Sequence, residues 1–322
     1  MKVLVTGASG FVGANLIEVL RDTRNEVLAT SRSRVEQQGI FYVASPELGP
    51  EADWTPALSG IDAVVHLAGR AHVTSEQADA KTDQAYLRIN AEGTGALAAQ
   101  CAAAGVKHFI FLSSCHAIAG QSNDVLTHRT VPQPVTAYGR SKLAAEEATK
   151  SVLADSDCAW TILRPPLVYG PGNKANFGLL VKLVQTGLPL PLASVRNRRS
   201  FIYVENLVDL IAACLGNPKA FGKTFLPSDG DDLSTAELIE KIARAETGDL
   251  KPECNGGGCA ARRARLFPFP ESILKAAGRL PGLGALRKLT SSLYVDSEPI
   301  RRDLGWTPPF TLEEGLRRTS AG

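Results

Sequence analysis

A glycine-rich turn near the amino terminus constrains the fold of this chain more than any other feature. Residues 6–13 read Thr-Gly-Ala-Ser-Gly-Phe-Val-Gly, between a short apolar run at 2–5 and a stretch whose apolar residues have helical spacing. Gly7 permits the tight turn, Gly10 lets the backbone approach a pyrophosphate, and Gly13 lets the helix pack closely on the strand. The helix N-terminus offers free N–H groups to phosphates. This strand–turn–helix context predicts a dinucleotide-binding site, whereas a glycine turn elsewhere would be weak evidence.

Short apolar runs alternate with helical stretches through the first half of the chain. The predicted strands are Lys2–Val5, Glu26–Thr30, Asp62–Leu67, Lys107–Leu112 and Ala159–Leu163, and the predicted helices are Phe11–Leu20, about 78–104 and Ala137–Ser151. The third strand is almost entirely apolar, which is typical of a parallel sheet covered on both faces. The alternation predicts an α/β fold with a Rossmann-type, doubly wound parallel sheet.

The residue composition changes after Arg164-Pro165-Pro166, where proline and glycine become frequent. We therefore expect a Rossmann domain over 1–165 and a smaller C-terminal α/β lobe over 166–322, with parts of 200–230 returning to the first domain. The elements expected in this half are strands at Phe201–Val204 and Thr224–Leu226, and a helix at Leu233–Ala245 that begins with a capping box of Ser234 and Glu237. Residues 266–293 are interpreted as short helices on the lobe, since prolines interrupt any long amphipathic face that would lie on a membrane.

Composition excludes several classes of function. The 35 Lys and Arg against 33 Asp and Glu give a net charge of +2, whereas a general nucleic-acid binder carries a strong basic excess. No run of 18 apolar residues would span a membrane, and the amino terminus has no signal-peptide pattern. Cys254 and Cys259 lack a second pair of ligands for zinc, so we expect no metal site. The remaining cysteines are scattered, and we expect free thiols in the cytoplasm.

The end of the second predicted strand bears on the choice of cofactor. An acidic residue there would accept hydrogen bonds from the ribose of NAD, but this chain has Ser31-Arg32-Ser33-Arg34. Serine and arginine suit a 2′-phosphate, which favours NADP, although a solvated loop with two arginines leaves NAD open.

A tyrosine–lysine pair lies at the start of the helix predicted from Ala137. Tyr138 and Lys142 are four residues apart, so both side chains lie on one helix face. A nearby ammonium group is expected to lower the pKa of the tyrosine from about 10. Such a tyrosine exchanges a proton with a hydroxyl or ketone while hydride passes to or from nicotinamide. The pair follows Ser113 and Ser114 at a strand end, an order that raises it above a chance spacing.

These features together resemble the extended short-chain dehydrogenase/reductase family, and within it the nucleotide-sugar epimerases, dehydratases and reductases. The resemblance covers essentially the whole chain. The segments that carry it are TGASGFVG at 6–13, HLAG at 66–69, NAEGT at 90–94, FLSS at 111–114, YGRSK at 138–142, LRPPLVYGPG at 163–172, RRSFIYVENLVD at 198–209 and RRDLGW at 301–306. Their order and spacing are highly specific, whereas only the first and fifth are informative alone.

The resemblance implies a role for individual residues. Tyr138 would be the catalytic acid and base, Lys142 its partner on the nicotinamide ribose, and Asn90 the residue that positions the site. The residues it places at the NADP or NAD cofactor are Gly7, Ser9, Gly10, Phe11, Val12, Gly13, Ser31, Arg32, Leu67, Ala68, Gly69, Asn90, Ser113, Tyr138, Lys142, Pro165 and Val168. Those it places at a UDP-sugar are Arg70, His72, Asn176, Arg199 and Arg302, because arginine pairs well with phosphate oxygens. Arg196 and Arg198 are interpreted as solvated charges, and Arg70 and His72 have the alternative of capping a loop.

Two departures from the family pattern matter. Cys115 stands where the family has a Ser or Thr, and a thiol is a weak hydrogen-bond donor. Either Ser114 takes over the contact to the substrate oxygen or Tyr138 acts alone. His116 and Ala117 stand where the 4,6-dehydratases carry an Asp-Glu pair, which argues against dehydration. We interpret His116 as structural or solvated, with a replacement acid as the alternative.

The leading hypothesis from the sequence is a cytoplasmic enzyme that reduces a UDP-4-keto sugar in surface-polysaccharide synthesis, because Ser31 and Arg32 favour NADP. The alternative is a UDP-hexose 4-epimerase with tightly held NAD, which would use Tyr138 and Lys142 in the same way. A non-catalytic nucleotide sensor on this fold ranks lower, since the Tyr-Lys pair is kept. The resemblance also implies a homodimer formed through helices around 76–104 and 137–151.

Overall fold

A sheet of seven parallel strands forms the centre of the protein, in the spatial order β3-β2-β1-β4-β5-β6-β9. The computed structural model describes residues 1–31, 40–70, 80–173, 176–246, 265–278, 280 and 283–321. The strands are β1 (Lys2–Thr6), β2 (Glu26–Ser31), β3 (Phe41–Ala44), β4 (Ala63–His66), β5 (His108–Leu112), β6 (Ala159–Leu163), β7 (Leu167–Tyr169), β8 (Phe201–Tyr203) and β9 (Lys223–Phe225). Strands β7 and β8 pair separately as a short parallel ribbon.

Helices cover both faces of this sheet and build most of the C-terminal lobe. They are α1 (Phe11–Arg21), α2 (Thr55–Leu58), α3 (Ala80–Tyr86), α4 (Gly93–Ala103), α5 (Ala137–Leu153), α6 (Asn176–Gln185), α7 (Val204–Cys214), α8 (Thr235–Glu246), α9 (Glu271–Ala277), α10 (Gly284–Thr290), α11 (Glu298–Leu304) and α12 (Leu312–Ala321). A π-helical segment, Leu87–Glu92, joins α3 to α4, and short 3₁₀ turns occupy Cys115–Ala117 and Pro218–Ala220.

The sheet separates two apolar cores. One face packs against α1 and α7, and the core there contains Leu16, Ile17 and Ile211. The other face packs against α4 and α5 around Leu97 and Phe109. The strand order reverses between β1 and β4, and in such sheets this reversal opens a crevice at the carboxyl ends of the strands. The expected Rossmann-type α/β fold is therefore confirmed, and it brings the predicted site segments to that edge.

The short and irregular elements are where the sequence predictions differ from the structure. Strand β3 was not predicted, because it lies at the sheet edge and exposes apolar Phe41 (64%). Helix α7 was not predicted either, since most of its residues are buried and only Glu205 and Asp209 mark a narrow polar edge. The long helix predicted at 78–104 is interrupted by the π segment.

The C-terminal lobe has its own core, which includes Phe177, Ile239 and Leu316. The predicted capping box of α8 is confirmed: the Ser234 N–H donates to Glu237 Oε2 (2.8 Å) and the Glu237 N–H donates to Ser234 Oγ (3.2 Å). Within 266–293 the described residues form the seven-residue helices α9 and α10, as predicted. Within the described ranges, no helix is both long and apolar enough to cross a bilayer.

Candidate active site

The glycine turn after β1 packs so closely on its own backbone and on the chain after β4 that Gly7 and Gly13 cannot carry side chains. Gly7 has a φ of +71°, and a Cβ there would lie 2.8 Å from the backbone nitrogen of Ala68. A Cβ on Gly13 would lie 2.3 Å from the carbonyl oxygen of Gly7. Helix α1 begins after Gly10 without a side-chain cap and without an acidic residue in its first turn, so the N–H groups there remain available to an anion. These features fit the pyrophosphate of a dinucleotide.

A buried histidine fixes the floor of the crevice. His66 Nδ1 lies 2.7 Å from Thr6 Oγ1, and its Nε2 lies 3.0 Å from Thr94 Oγ1. Thr6 Oγ1 also accepts a hydrogen bond from the Ala68 N–H (3.2 Å). Burial, and the nearby charge of Lys142, lower the pKa of His66 to about 3, so the ring stays neutral. The network holds the predicted cofactor residues 67–69 against β1, and sequence reasoning had not assigned a role to His66.

The π-helical segment presents Asn90 to the same edge. Asn90 Oδ1 accepts a hydrogen bond from the Arg70 N–H (2.7 Å), and its Nδ2 donates to the Arg70 carbonyl (3.1 Å) and to Ser141 Oγ (3.0 Å). Ser141 Oγ in turn donates to the carbonyl of Tyr138 (2.8 Å). The amide therefore ties the loop after β4 to the start of α5. A π segment at a functional site is a recurrent pattern.

Tyr138 lies beside the strand end that the sequence predicted. Its phenol is hydrogen-bonded with Ser114, and its ring makes edge contacts with Tyr86 (centroids 6.3 Å apart) and His116 (6.4 Å). Ser114 also hydrogen-bonds with the buried thiol of Cys115, whose pKa burial raises to about 12. The hydroxyl next to Tyr138 thus comes from Ser114, while Cys115 stays protonated and packs among Ile118, Leu126 and Leu293.

The expected lowering of the tyrosine pKa is not what the structure has. Burial raises the pKa of Tyr138 to about 12, and the hydrogen bond with Ser114 opposes this only in part. The Lys142 ammonium donates to the carbonyl of Leu112 (2.8 Å) and lies 4.6 Å from the Phe111 ring centroid. Burial lowers the pKa of Lys142 to about 8, while the charge of Glu146 raises it. Without a bound cofactor, the phenol of Tyr138 therefore keeps its proton.

A buried ion pair lies one helical turn below Lys142. Glu146 is fully buried, and its carboxylate accepts hydrogen bonds from Arg164 Nε to both oxygens (2.9 and 3.1 Å). Arg164 Nη2 also donates to Glu146 Oε2 (2.5 Å), and Ser113 Oγ donates to Oε1. The hydroxyl of Ser113, expected at the cofactor, is thus directed to Glu146. Sequence reasoning missed the pair, although Glu146 continues the i, i+4 series of Tyr138 and Lys142.

Arg199 reaches the same region from the C-terminal lobe. Its Nη1 donates to the carbonyls of Lys288 (2.8 Å) and Ser291 (3.2 Å), and its charge acts on the Cys115 thiol. Burial lowers the pKa of this guanidinium. Arg199 is half-buried, and within the described part of the chain no carboxylate pairs with it, so its charge is available to an anion. Arg198 is exposed and pairs with Asp232 (3.0 Å), as expected of a solvated charge.

The remaining substrate candidates differ in position. Arg70 lies over the Tyr86 ring (5.2 Å from Cζ to the centroid), and Tyr86 contacts Tyr138, so Arg70 adjoins the site. Arg302 does not: it lies on α11, is exposed, and pairs with Asp303 (2.8 Å), which faces Lys223 on the edge strand β9. Arg302 is thus paired at the surface in this structure, and its contact with a substrate stays a prediction.

For the remaining predicted site residues, the structure gives only backbone contacts or burial, or does not describe the side chain. The carbonyl of Pro165 accepts from the Cys115 N–H (3.0 Å), and that of Val168 accepts from Asn173 Nδ2 (2.9 Å), so both carbonyls are already engaged. Ser31 is buried at the end of β2. Arg32, His72, Cys254, Cys259 and the side chain of Asn176 lie outside the described residues.

Comparison with known proteins identifies the family. Residues 3–225 match the NAD dependent epimerase/dehydratase family. The chain belongs to this family. It is similar to the UDP-glucose 4-epimerase of Vibrio cholerae, with 36% identity over 99% of this chain and 94% of that protein. It is also 27% identical to the 2-alkyl-3-oxoalkanoate reductase of Stenotrophomonas maltophilia, over 100% of this chain and 99% of the relative.

A solved structure adds the ligands of a relative. The structure of MoeE5 in complex with UDP-glucuronic acid and NAD has a TM-score of 0.74 and 25% identity, and the match covers 100% of this chain and 98% of that one. The resemblance inferred from the sequence motifs is thereby confirmed as an enzyme family of nucleotide-sugar epimerases and dehydratases.

Proposed function

We propose that this protein is a UDP-sugar 4-epimerase that works with NAD. The observation that carries the proposal is the convergence of Ser114, Tyr138 and Lys142 at the carboxyl edge of the sheet, beside the glycine turn. The similarity to a UDP-glucose 4-epimerase supports epimerisation over the reduction that the sequence alone favoured.

Tyr138 is the group that moves the proton. Its phenol oxygen takes the proton of the sugar 4-hydroxyl and later returns one to the same oxygen, while Ser114 donates a hydrogen bond there. When bound, NAD would supply hydride transfer and, in its oxidised form, a positive charge that favours ionisation of the phenol. Because the pKa of Tyr138 is about 12 in the protein alone, we expect it to become a base only when the cofactor is present. Lys142 orients the ribose and adds its own positive charge.

NAD is the cofactor we propose, in place of the NADP favoured by Ser31 and Arg32. NAD is present in the structure of the similar MoeE5. An epimerase returns the hydride to the sugar it came from, so it needs no pool of reduced cofactor. Gly7, Gly10, Gly13 and the segment 67–69 would hold the cofactor.

Arg199 would bind the diphosphate of the substrate. It is a half-buried cation whose described hydrogen bonds go only to carbonyl oxygens, and it lies close to Cys115 at the edge of the site. A guanidinium in such a position binds phosphate oxygens through two N–H groups at once. Arg70, over Tyr86, is a second candidate at the sugar.

A 4-ketoreductase remains the second candidate. It uses the same tyrosine and lysine, and a reductase is among the relatives. The non-catalytic alternative ranks below both, since the proton-transfer groups are all in place. The homodimer and the cytoplasmic location inferred from the sequence stay predictions, and light scattering of the purified protein would test the first.

The test is to identify the cofactor and the product together. The purified protein is denatured and its released nucleotides are identified by mass spectrometry, and fresh protein is incubated with UDP-glucose or UDP-N-acetylglucosamine. We expect bound NAD and conversion to the 4-epimer without added cofactor. Consumption of added NADPH with a 4-keto sugar nucleotide, and no epimerisation, would overturn the proposal in favour of the reductase.

A further inference from the structure

Tyr138, Lys142 and Glu146 lie on one face of α5 at successive intervals of four residues. The first two have roles in the proposed function, whereas the third is a fully buried carboxylate without one. It touches neither Tyr138 nor the glycine turn in the described contacts. Its partners, Ser113 and Arg164, follow β5 and β6 directly, at the edge where the site is formed.

The pair joins three elements of the site through a few short contacts. Ser113 follows Leu112, whose carbonyl accepts from Lys142 Nζ (2.8 Å). The Ser113 N–H donates to the Leu163 carbonyl (2.7 Å), and the Arg164 N–H donates to the Phe225 carbonyl (2.8 Å). The carboxylate therefore fixes α5 against the ends of β5 and β6, and with them the carbonyl that holds the ammonium group.

The charges around Lys142 make this carboxylate more than a structural link. The titratable or charged groups on the elements packed around the lysine are His66, Tyr86, Cys115, His116, Tyr138, Glu146, Lys150 and Arg164, and the charges of Glu146 and Arg164 also act on Lys150. His66 is neutral, and burial keeps the proton on the Cys115 thiol and on the Tyr138 phenol below pH 8, since it raises the pKa of each to about 12. Asp83, also close to α5, pairs with Arg140 at the surface. Glu146 is thus the buried negative charge that offsets the two buried cations, Lys142 and Arg164.

We propose that Glu146 is a positioning residue for the reaction, which fixes both the location and the charge of Lys142 next to Tyr138. The inference rests on the proposed function for its catalytic consequence, but its electrostatic part concerns this chain alone. Removing the carboxylate leaves two uncompensated cations in a buried space, so Lys142 gives up its proton more easily. Removing Arg164 instead leaves the carboxylate to Lys142, which then holds its proton more firmly.

The test compares the pH dependence of kcat in four variants. We expect the alkaline limb to move to lower pH in Glu146→Gln, by about one to two units for charges one helical turn apart. It should move to higher pH in Arg164→Gln and return close to its original position in the double variant, which loses one positive and one negative charge and so keeps the original net charge. Glu147→Gln is the matched control, since it removes the same charge one position later at the exposed surface. We expect it to leave the limb unchanged.

A merely structural role gives a different pattern. Both single variants would then lower kcat without moving the limb, or would move it in the same direction, and the double variant would be the least active. Either result overturns the proposal. If Glu146→Gln does not fold, the upward shift in Arg164→Gln and the restored limb of the double variant still decide the question.

A second measurement does not depend on enzyme activity, so it distinguishes failure of the role proposed for Glu146 from failure of the proposed function. The pKa of Lys142 is about 8 in the folded protein and 10.5 ordinarily, so the folded state binds fewer protons between these values. The contribution of Lys142 to the free energy of unfolding therefore rises with pH across that window. Urea unfolding from pH 7 to 9.5 should show this rise starting at lower pH in Glu146→Gln and at higher pH in Arg164→Gln. Parallel profiles in all variants would refute the electrostatic role even in an inactive protein.

Discussion

Two arginines, the buried Arg164 and the half-buried Arg199, differ in what balances their charge. Arg164, at the end of β6 in the Rossmann half, is 4% exposed and pairs with the carboxylate of Glu146 through several hydrogen bonds. Arg199, which approaches from the C-terminal lobe, donates only to carbonyl oxygens in the described structure. A buried cation with an ionic partner belongs to the framework, whereas a cation without an ionic partner favours an incoming anion. We therefore expect the first half to arrange the chemistry and the second to contribute binding.

Among the variants that test this division, Tyr138→Phe should have the largest effect. We expect kcat to fall by about 10²- to 10⁴-fold, because the proton-transfer group is lost, with little change in KM. The phenyl ring keeps the edge contacts with Tyr86 and His116, so the fold should be retained. Steady-state kinetics with UDP-glucose, together with the content of bound NAD, measure both effects. A large rise in KM with normal kcat would place Tyr138 in binding and break the division.

Arg199→Gln should impair substrate binding rather than the chemical step. We expect the affinity for UDP to fall, and KM to rise, by about 10- to 100-fold, because losing a charged hydrogen bond costs about 1.5–3 kcal/mol. Calorimetric titration with UDP measures it directly. Arg198→Gln is the control, because that side chain is exposed and pairs with Asp232, and it should change affinity by less than about twofold. Equal effects in the two variants would contradict a specific phosphate contact.

Asn90→Ala should lower kcat/KM by about tenfold and the free energy of unfolding by about 1–3 kcal/mol, since it leaves the Arg70 N–H and Ser141 without their partner. Gln100→Ala is a matched control: its amide also bridges two backbone groups, the N–H of Trp54 and the carbonyl of Ala52, but away from the site. It should cost stability alone. Loss of activity in proportion to stability in both variants would argue against a positioning role for Asn90.

The smallest effect is expected for Cys115→Ser. Ser114 already provides the hydroxyl next to Tyr138, so kcat should change by less than about threefold, whereas Ser114→Ala should lower it by tenfold or more. Initial rates of the two variants measured side by side decide between them. A strong gain from Cys115→Ser, with little loss from Ser114→Ala, would show that position 115 contacts the substrate.

The two halves of the chain also differ in how far the sequence predicts them. The glycine turn, the parallel strands and the Tyr138–Lys142 pair follow from local pattern, because their function depends on backbone conformation and helix spacing. Arg199 and Arg302 look alike in the sequence, since both lie in arginine pairs, and only the fold separates the half-buried Arg199 from the exposed Arg302. Glu146 escaped notice for the same reason, as its partner lies 18 residues away on another strand end.

The π-helical segment also has a consequence for changes in chain length. Its N–H of Gly93 bonds to the carbonyl of Arg88, five residues back, so the turn holds one residue more than an α-helical turn. Deleting one residue from Leu87–Glu92 would let the turn close into regular helix, and the part before the deletion would rotate by about 100° relative to α4. A substitution here would change the contacts of one side chain, whereas a deletion would turn the whole helix away from Arg70 and Ser141.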